Sequence, residues 1–268
     1  MCCRRVSHTY IAEEMLSKKE VKYIQRLALK KFRDEDGLFI VEGPKIVGEL
    51  IQLVPEQVQK VYAIHSWMTA HAQWLQRITI QEITEDELQR ISLLTTSNQV
   101  VAVLRQFNWQ RPLVENEIGL YLDTVQDPGN FGTIIRIADW FGIKKIVCSA
   151  GCADVYNPKV VQSTMASIAR VQVYYDNDLS WLYQQKAPVY AATLQGRSVY
   201  EYSRTSNCIL LIGNESKGIR AEFLQQASEQ ITIPRMGHAE SLNAAVAAGI
   251  LLSHLTKPDS FDRLNFPN

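Results

Sequence analysis

The chain has 268 residues, 46% hydrophobic and 21% charged, and its 28 basic and 28 acidic side chains cancel, which excludes a global positive field for nucleic acid. No apolar run reaches the roughly 18 residues of a membrane span, and Met1-Cys2-Cys3-Arg4-Arg5 leads into polar residues and not into a signal core. Five cysteines and five histidines without ligand spacing imply neither a disulfide framework nor a metal site, so the expectation is a cytoplasmic protein with no bound metal.

Residues 1–16 read as a flexible or helical extension. From Ser17 to about Lys31, the apolar set Val21, Ile24, Leu27 and Ala28 has helical spacing. The same stretch crowds Lys18, Lys19, Lys22, Arg26, Lys30 and Lys31 ahead of Arg33, with Glu20 the only acid. Such a run is either a solvated helix face or a phosphate-facing patch whose binding weakens with salt. Asp34 to Gly37 is a predicted turn and Leu38 to Val41 a strand. A helix follows from Glu42-Gly43-Pro44 to about Leu53. A strand over Val58–Ile64, a helix over Ser66–Leu75 and a strand at Ile78–Ile80 come next. Thr84 then caps an acidic first turn, and Gln99–Leu104 closes the region as a β-branched run. Residues 1–106 are thus expected to form a smaller αβ domain, and 107–117, with Arg111-Pro112 and little periodicity, a linker.

Residues 118–268 alternate again. Strand-like runs lie at 118–125, 145–148, 171–174, 189–193, 208–212 and 230–233, with helices expected over 133–141, 158–168, 179–185, 221–227 and 241–255. Continuous apolar strands separated by helices predict an α/β fold with a mainly parallel sheet covered by helices on both faces.

Three glycine-bearing segments follow predicted strands. Asp127-Pro128-Gly129-Asn130-Phe131-Gly132 precedes the helix expected from Thr133, which would put Arg136 in a first turn, where a cation opposes the helix dipole and needs another reason to be present. Gly213-Asn214-Glu215-Ser216-Lys217-Gly218 offers a close-approach glycine and a carboxylate able to pair with Arg136 or accept from a substrate. Ile233-Pro234-Arg235-Met236-Gly237-His238-Ala239-Glu240-Ser241-Leu242-Asn243 runs into a small-residue helix that Ser241 is expected to cap. None is a dinucleotide fingerprint or phosphate loop. Converging at one sheet edge, they would build a single pocket.

Asn130-x-Gly132-x-x-x-Arg136, Gly213-Asn214-Glu215, and Ile233-Pro234 with Ser241-Leu242-Asn243 resemble, in order, the three motifs of the SpoU (TrmH-like) family of SPOUT-class RNA ribose 2′-O-methyltransferases. Residues 17–105 resemble the family's substrate-binding domain more weakly, with Phe39-Ile40-Val41-Glu42-Gly43 as marker. The resemblance implies a deep trefoil knot, a homodimer, and S-adenosylmethionine held around Thr193, Leu194, Gly196, Gly213, Asn214, Ile233, Ser241 and Leu242. It implies catalytic parts for Arg136, Asn130, Glu215, Ser241 and Asn243. If the basic stretch is the phosphate-facing patch, Lys18, Lys22, Arg26 and Lys30 are its RNA contacts. Ribosomal RNA is the favoured substrate. Transfer RNA, or a non-catalytic RNA-binding role on the same scaffold, is the alternative. Three positions depart from the family pattern: Thr164 and Ala166, where Ser and Gly are more usual, and Ser216, where Gly is usual.

Overall fold

The computed structural model of the chain describes residues 16–74 and 77–257, so the extension expected over 1–16 lies, apart from Leu16, outside the described residues. Ser17 caps α1 (Lys18–Arg26) by accepting the Glu20 N–H at 3.1 Å. The single helix expected to Lys31 is broken: α2 (Lys30–Asp36) starts afresh, runs through the predicted turn and ends on left-handed Gly37. The cause is Arg33, only 2% exposed. Its guanidinium donates to the carbonyls of Leu27 at 2.9 Å and Ala28 at 2.7 Å, which a continuous helix would need for itself, and pairs with Asp154 at 2.5 Å.

β1 (Leu38–Glu42) leads through Gly43, with φ of 99°, to Pro44 at the first position of α3 (Pro44–Leu53). β2 (Val58–Ala63), α4 (His65–Ala70) and β3 (Ile80–Glu82) follow. α5 (Glu85–Ile91) starts on a capping box in which Thr84 and Glu87 exchange hydrogen bonds, as the sequence predicts, and β4 (Val100–Arg105) ends the run. The sheet order is β1-β4-β2-β3, antiparallel except for β2–β3.

The other sheet contains β5 (Ile118–Leu122), β6 (Lys145–Ser149), β7 (Gln172–Asp176), β8 (Val189–Ser198), β9 (Cys208–Ile212) and β10 (Glu229–Thr232). Its helices are α6 (Pro128–Trp140), α8 (Ala221–Leu224) and α9 (Ala244–Leu255), with α7 (Pro158–Thr164) between β6 and β7 in the chain. The order is β10-β8-β9-β5-β6-β7, and every ladder is parallel. Every residue of β5 and β9 is buried, which is why both read as unbroken apolar runs. The helix expected over 179–185 is reduced to a 3-10 turn at Leu182–Gln184, because Trp181 is drawn into the core with its N–H on Asp176 at 3.0 Å and its indole N–H on Pro112 O at 2.6 Å.

The chain divides into two compact units, one reaching to Asn108 and including Asp154–Ala169, the other formed by Trp109–Ala153 with Arg170 onward. Residues 154–169, read from sequence with the second domain, thus pack within the first unit. Tyr156 sits against Phe39 with ring centroids 4.8 Å apart, accepts the Phe107 N–H at 2.7 Å, and α7 lies against β1. Met165 and Ala166 both have positive φ, 49° and 72°. The glycine usual in the family would meet this geometry without strain; Ala166 adopts it in a fully buried position.

Candidate active site

α6 begins five residues earlier than the sequence suggests. Asp127 is its N-cap, accepting the Asn130 N–H at 2.8 Å, and Pro128 holds the first position. Arg136 is consequently the ninth of 13 residues, counting from Pro128, and not in the first turn. The dipole conflict inferred for it does not exist. Arg136 is exposed and makes no hydrogen bond or ion pair among the described residues, so of the two parts open to Glu215, pairing with Arg136 or accepting from a substrate, the pair is not formed.

Glu215 is instead the end of a side-chain relay. Asn130 Nδ2 donates to Glu215 Oε1 at 2.6 Å, and Asn243 Nδ2 donates to Asn130 Oδ1 at 2.7 Å. Asn243 Oδ1 then accepts from Ala245 N at 2.9 Å and Val246 N at 3.2 Å. Asn243, and not Ser241, is therefore the N-cap of α9. Both ends fix the direction of the relay: a carboxylate only accepts and a backbone N–H only donates, so each amide has one permitted orientation. The three predicted segments meet through Asn130.

Beside the relay lies a cavity of about 750 Å³ at the carboxyl ends of β9 and β10 and along the middle of β8. Of the residues expected to bind cofactor, Thr193, Leu194, Gly213, Asn214, Ile233, Ser241 and Leu242 line it, as does Glu215; Gly196, Asn130, Arg136 and Asn243 do not. Leu194, Leu242 and Met236 are large apolar side chains left exposed at this site, Met236 to 96%. Gly213 is required by the turn: a Cβ there would lie 2.5 Å from the Gly218 carbonyl carbon and 2.6 Å from the Ile219 nitrogen. Asn214 and Gly218 exchange backbone hydrogen bonds at 3.0 and 2.9 Å across that turn. Asn214's side chain is also committed, accepting from Ser216 N and Lys217 N and donating to Thr124 O at 2.9 Å. Ser216, one of the departures, is exposed in this loop.

Sequence reasoning missed the support beneath. Asp123, fully buried, accepts from Arg220 N and Arg220 Nε, both at 2.9 Å, and so clamps the end of β5 to the start of α8. Its signal was a lone carboxylate closing the apolar run Leu120-Tyr121-Leu122. Next to it Thr124, a β-branched residue at φ 55°, is held in the left-handed region with its N–H on Ser149 Oγ at 3.0 Å. Nearby, a hydrogen bond from the Cys148 thiol lowers the Cys152 thiol from its usual value, while burial raises Cys148 well above it. No group of three His, Cys, Asp or Glu able to hold a metal occurs among the described residues.

The basic stretch divides. Arg26 is bound to both Asp36 oxygens at 2.8 and 2.6 Å, and Lys30 to Asp34 at 2.7 Å. Lys18 and Lys22 are exposed and form no ion pair among the described residues.

Residues 117–253 match the model of the SpoU rRNA Methylase family and residues 18–102 that of the MRM3-like substrate binding domain. The chain is 31% identical over 246 residues to the 23S rRNA (guanosine(2553)-2′-O)-methyltransferase of Bacillus subtilis, covering 90% of this chain and 98% of that one. Among solved structures, a TrmH-family protein from Porphyromonas gingivalis is 37% identical with a TM-score of 0.79, over 90% of this chain and 98% of that one. The AdoMet-bound rRNA methyltransferase of Sinorhizobium meliloti is 28% identical with a TM-score of 0.78, over 91% of this chain and 97% of that one.

Proposed function

Because the chain belongs to the SpoU rRNA methylase family, we propose that it methylates a ribose 2′-hydroxyl of ribosomal RNA with S-adenosylmethionine as donor. The observation that carries the reading is the Asn243–Asn130–Glu215 relay, which ties all three motif segments together at the edge of the 750 Å³ cavity. The residues present fit the donor. Leu194, Met236 and Leu242 offer apolar surface for an adenine ring, and the turns around Gly213 and Ile233 offer backbone groups. When bound, S-adenosylmethionine supplies a methyl group made electrophilic by its sulfonium.

The chain's own residues then have distinct parts. Arg136 makes no hydrogen bond or ion pair among the described residues; a guanidinium offers donors and positive charge but no acceptor, so it orients the ribose hydroxyl or adjacent phosphate and stabilises the charge that develops on that oxygen as its proton leaves to solvent. Asn130 and Asn243 position the loops, and Glu215 holds Asn130 and meets the cavity. Ser241 lines the cavity, and its hydroxyl, which makes no hydrogen bond among the described residues, is available to donor or ribose. The first unit, matched by the substrate-binding model, captures the RNA, with Lys18 and Lys22 as its phosphate contacts.

The trefoil knot belongs to the same proposal. Its support is that β10 follows β9 in the chain yet lies beyond β8 in the sheet, after which 233–243 returns to Asn130. A homodimer is supported by Trp140 on α6, 84% exposed, and by Val246 in the first turn of α9, also exposed, apolar surface that a second copy would cover. A cytoplasmic location accords with the absence, among the described residues, of any helix long and apolar enough to cross a membrane.

Calorimetry with S-adenosylmethionine and transfer of labelled methyl to unmodified rRNA test the reading; no binding at millimolar donor would overturn it. Arg136→Ala should lower turnover by about 10²-fold or more while donor affinity is retained. Normal methylation by that variant would remove Arg136 from the mechanism.

A further inference from the structure

The first unit holds a second cavity, about 470 Å³, where the end of β1 meets Leu93 and Leu94 and the first turns of α7. It shares no lining residue with the larger one. Its floor is the Glu42 carboxylate, 4% exposed, which accepts from Ser92 Oγ at 2.5 Å and Leu93 N at 2.7 Å. Burial raises this carboxyl above its usual range against those two hydrogen bonds. One wall is apolar, made by Ile40 and Leu94.

The facing wall is polar and largely uncommitted. Asn157 uses its Oδ1 to cap Lys159 N at 2.9 Å, which leaves its Nδ2 donors. Ser163 Oγ donates to Lys159 O at 2.8 Å and keeps its lone pairs. Gln162 lines the cleft, half-buried, and its amide has no hydrogen-bond partner among the described residues. A half-buried amide beside a buried carboxylate needs water or a ligand to satisfy it.

An apolar wall opposite amide edges suits a flat heterocycle with donor and acceptor groups on its rim. That is how unpaired bases of RNA are read, through stacking and Watson–Crick-edge hydrogen bonds. The volume suits a single small group and not a peptide or helix. The α1–α2 connection brings Ala28 to the rim, and Lys31, exposed in the first turn of α2 and without an ion pair among the described residues, follows it in the chain as a phosphate contact. We propose that this cleft receives one unpaired base of the RNA substrate, with Gln162 and Asn157 reading its edge and Leu94 against its face. The inference rests on RNA being the substrate, as argued above, and assigns a specificity site to the first unit.

Two full-length variants test it: Leu94→Trp, which fills the cleft, and Gln162→Ala, which removes the free amide. The probe is unmodified large-subunit rRNA transcribed in vitro, with a thiouridine-substituted batch for photo-crosslinking. Thermal unfolding verifies that both variants fold. The expected result is a KM for RNA raised about 10-fold or more, with kcat and donor affinity unchanged. Crosslinks should map to residues 93–94 or 157–163. Unchanged KM in both folded variants, with crosslinks elsewhere, overturns the cleft assignment. A wild-type chain that binds donor but labels no RNA would instead overturn the proposed reaction. Direct binding of the same transcript then decides the cleft: weaker binding by Leu94→Trp supports it, and equal binding overturns it.

Discussion

Removing the Asn130 amide should uncouple the three loops that form the site. Asn130→Ala deletes a 2.6 Å hydrogen bond to the Glu215 carboxylate and the 2.7 Å bond accepted from Asn243. A hydrogen bond to a charged group contributes about 1.5–3 kcal/mol and a neutral one about 0.5–1.5 kcal/mol. Asn130 and Glu215 are only half-buried, so water recovers part of this, and a net loss of about 2 kcal/mol is the working figure. For a chain of this size that corresponds to a fall in Tm of roughly 4–8 °C, if the loops unfold with the whole. Where the loss falls on loop order instead, affinity for S-adenosylmethionine drops about 30-fold, since the competent arrangement is less populated. Calorimetry and thermal unfolding on Asn130→Ala, Glu215→Ala and the double variant distinguish the two. The relay predicts a coupling energy of about 1 kcal/mol or more between Asn130 and Glu215. Additive single effects, within about 0.5 kcal/mol, would show that the relay does not organise the site.

Three further outcomes are expected. Gly213→Ala places a methyl against the Gly218–Ile219 backbone and should cost about 1–3 kcal/mol together with donor binding, read by unfolding and calorimetry; a variant that binds normally would refute the tight turn. Neutralising Lys18 and Lys22 together should flatten the salt dependence of RNA binding by a slope of between about 1 and 2, whereas neutralising ion-paired Arg26 and Lys30 should change it less; equal effects would mean that the intramolecular pairs do not matter. Burial raises the Asp176 carboxyl above 3.8, with Asp178 adding to the effect, against hydrogen bonds from Trp181 N and Tyr121 Oη. The folded state therefore binds this proton more readily than the unfolded one, and stability falls as pH rises through that window. Asp176→Asn keeps an acceptor for both donors without the charge, so it should be more stable near neutral pH by on the order of 1 kcal/mol. The gain should vanish below pH 3.8, where the proton is bound in both states, and a gain that persists there would refute the cause.

Much of the second sheet was legible in advance because its signal is local. Five-residue apolar runs such as Cys208–Ile212 have to be buried on both faces, and parallel pairing with helical crossovers is the arrangement that does so. The glycine turns after β5 and β9 were legible for the same reason, since chain direction and turn chemistry place them at carboxyl ends. Helix starts were less readable: Thr133 and Ser241 were the expected openings, while Pro128 and Ala244 are the real ones. Asp127 and Asn243 cap those helices as well as Ser or Thr would, and composition cannot choose among such residues.

What residue type and spacing determined by themselves was the alternation of strands and helices, the three motif segments and the chemistry they can support. Tertiary structure alone decided the partners. Arg33 breaks a helix because Asp154, 121 positions away, is there to pair with it. Asn130 joins Glu215 and Asn243 from 85 and 113 positions away, and Arg136 is left exposed and without a hydrogen bond or ion pair among the described residues. Residues 154–169 join the first unit by contacts that no local pattern encodes. A side chain's hydrogen-bonding capacity is a property of its type, but which groups meet it depends on how the strands are ordered in space.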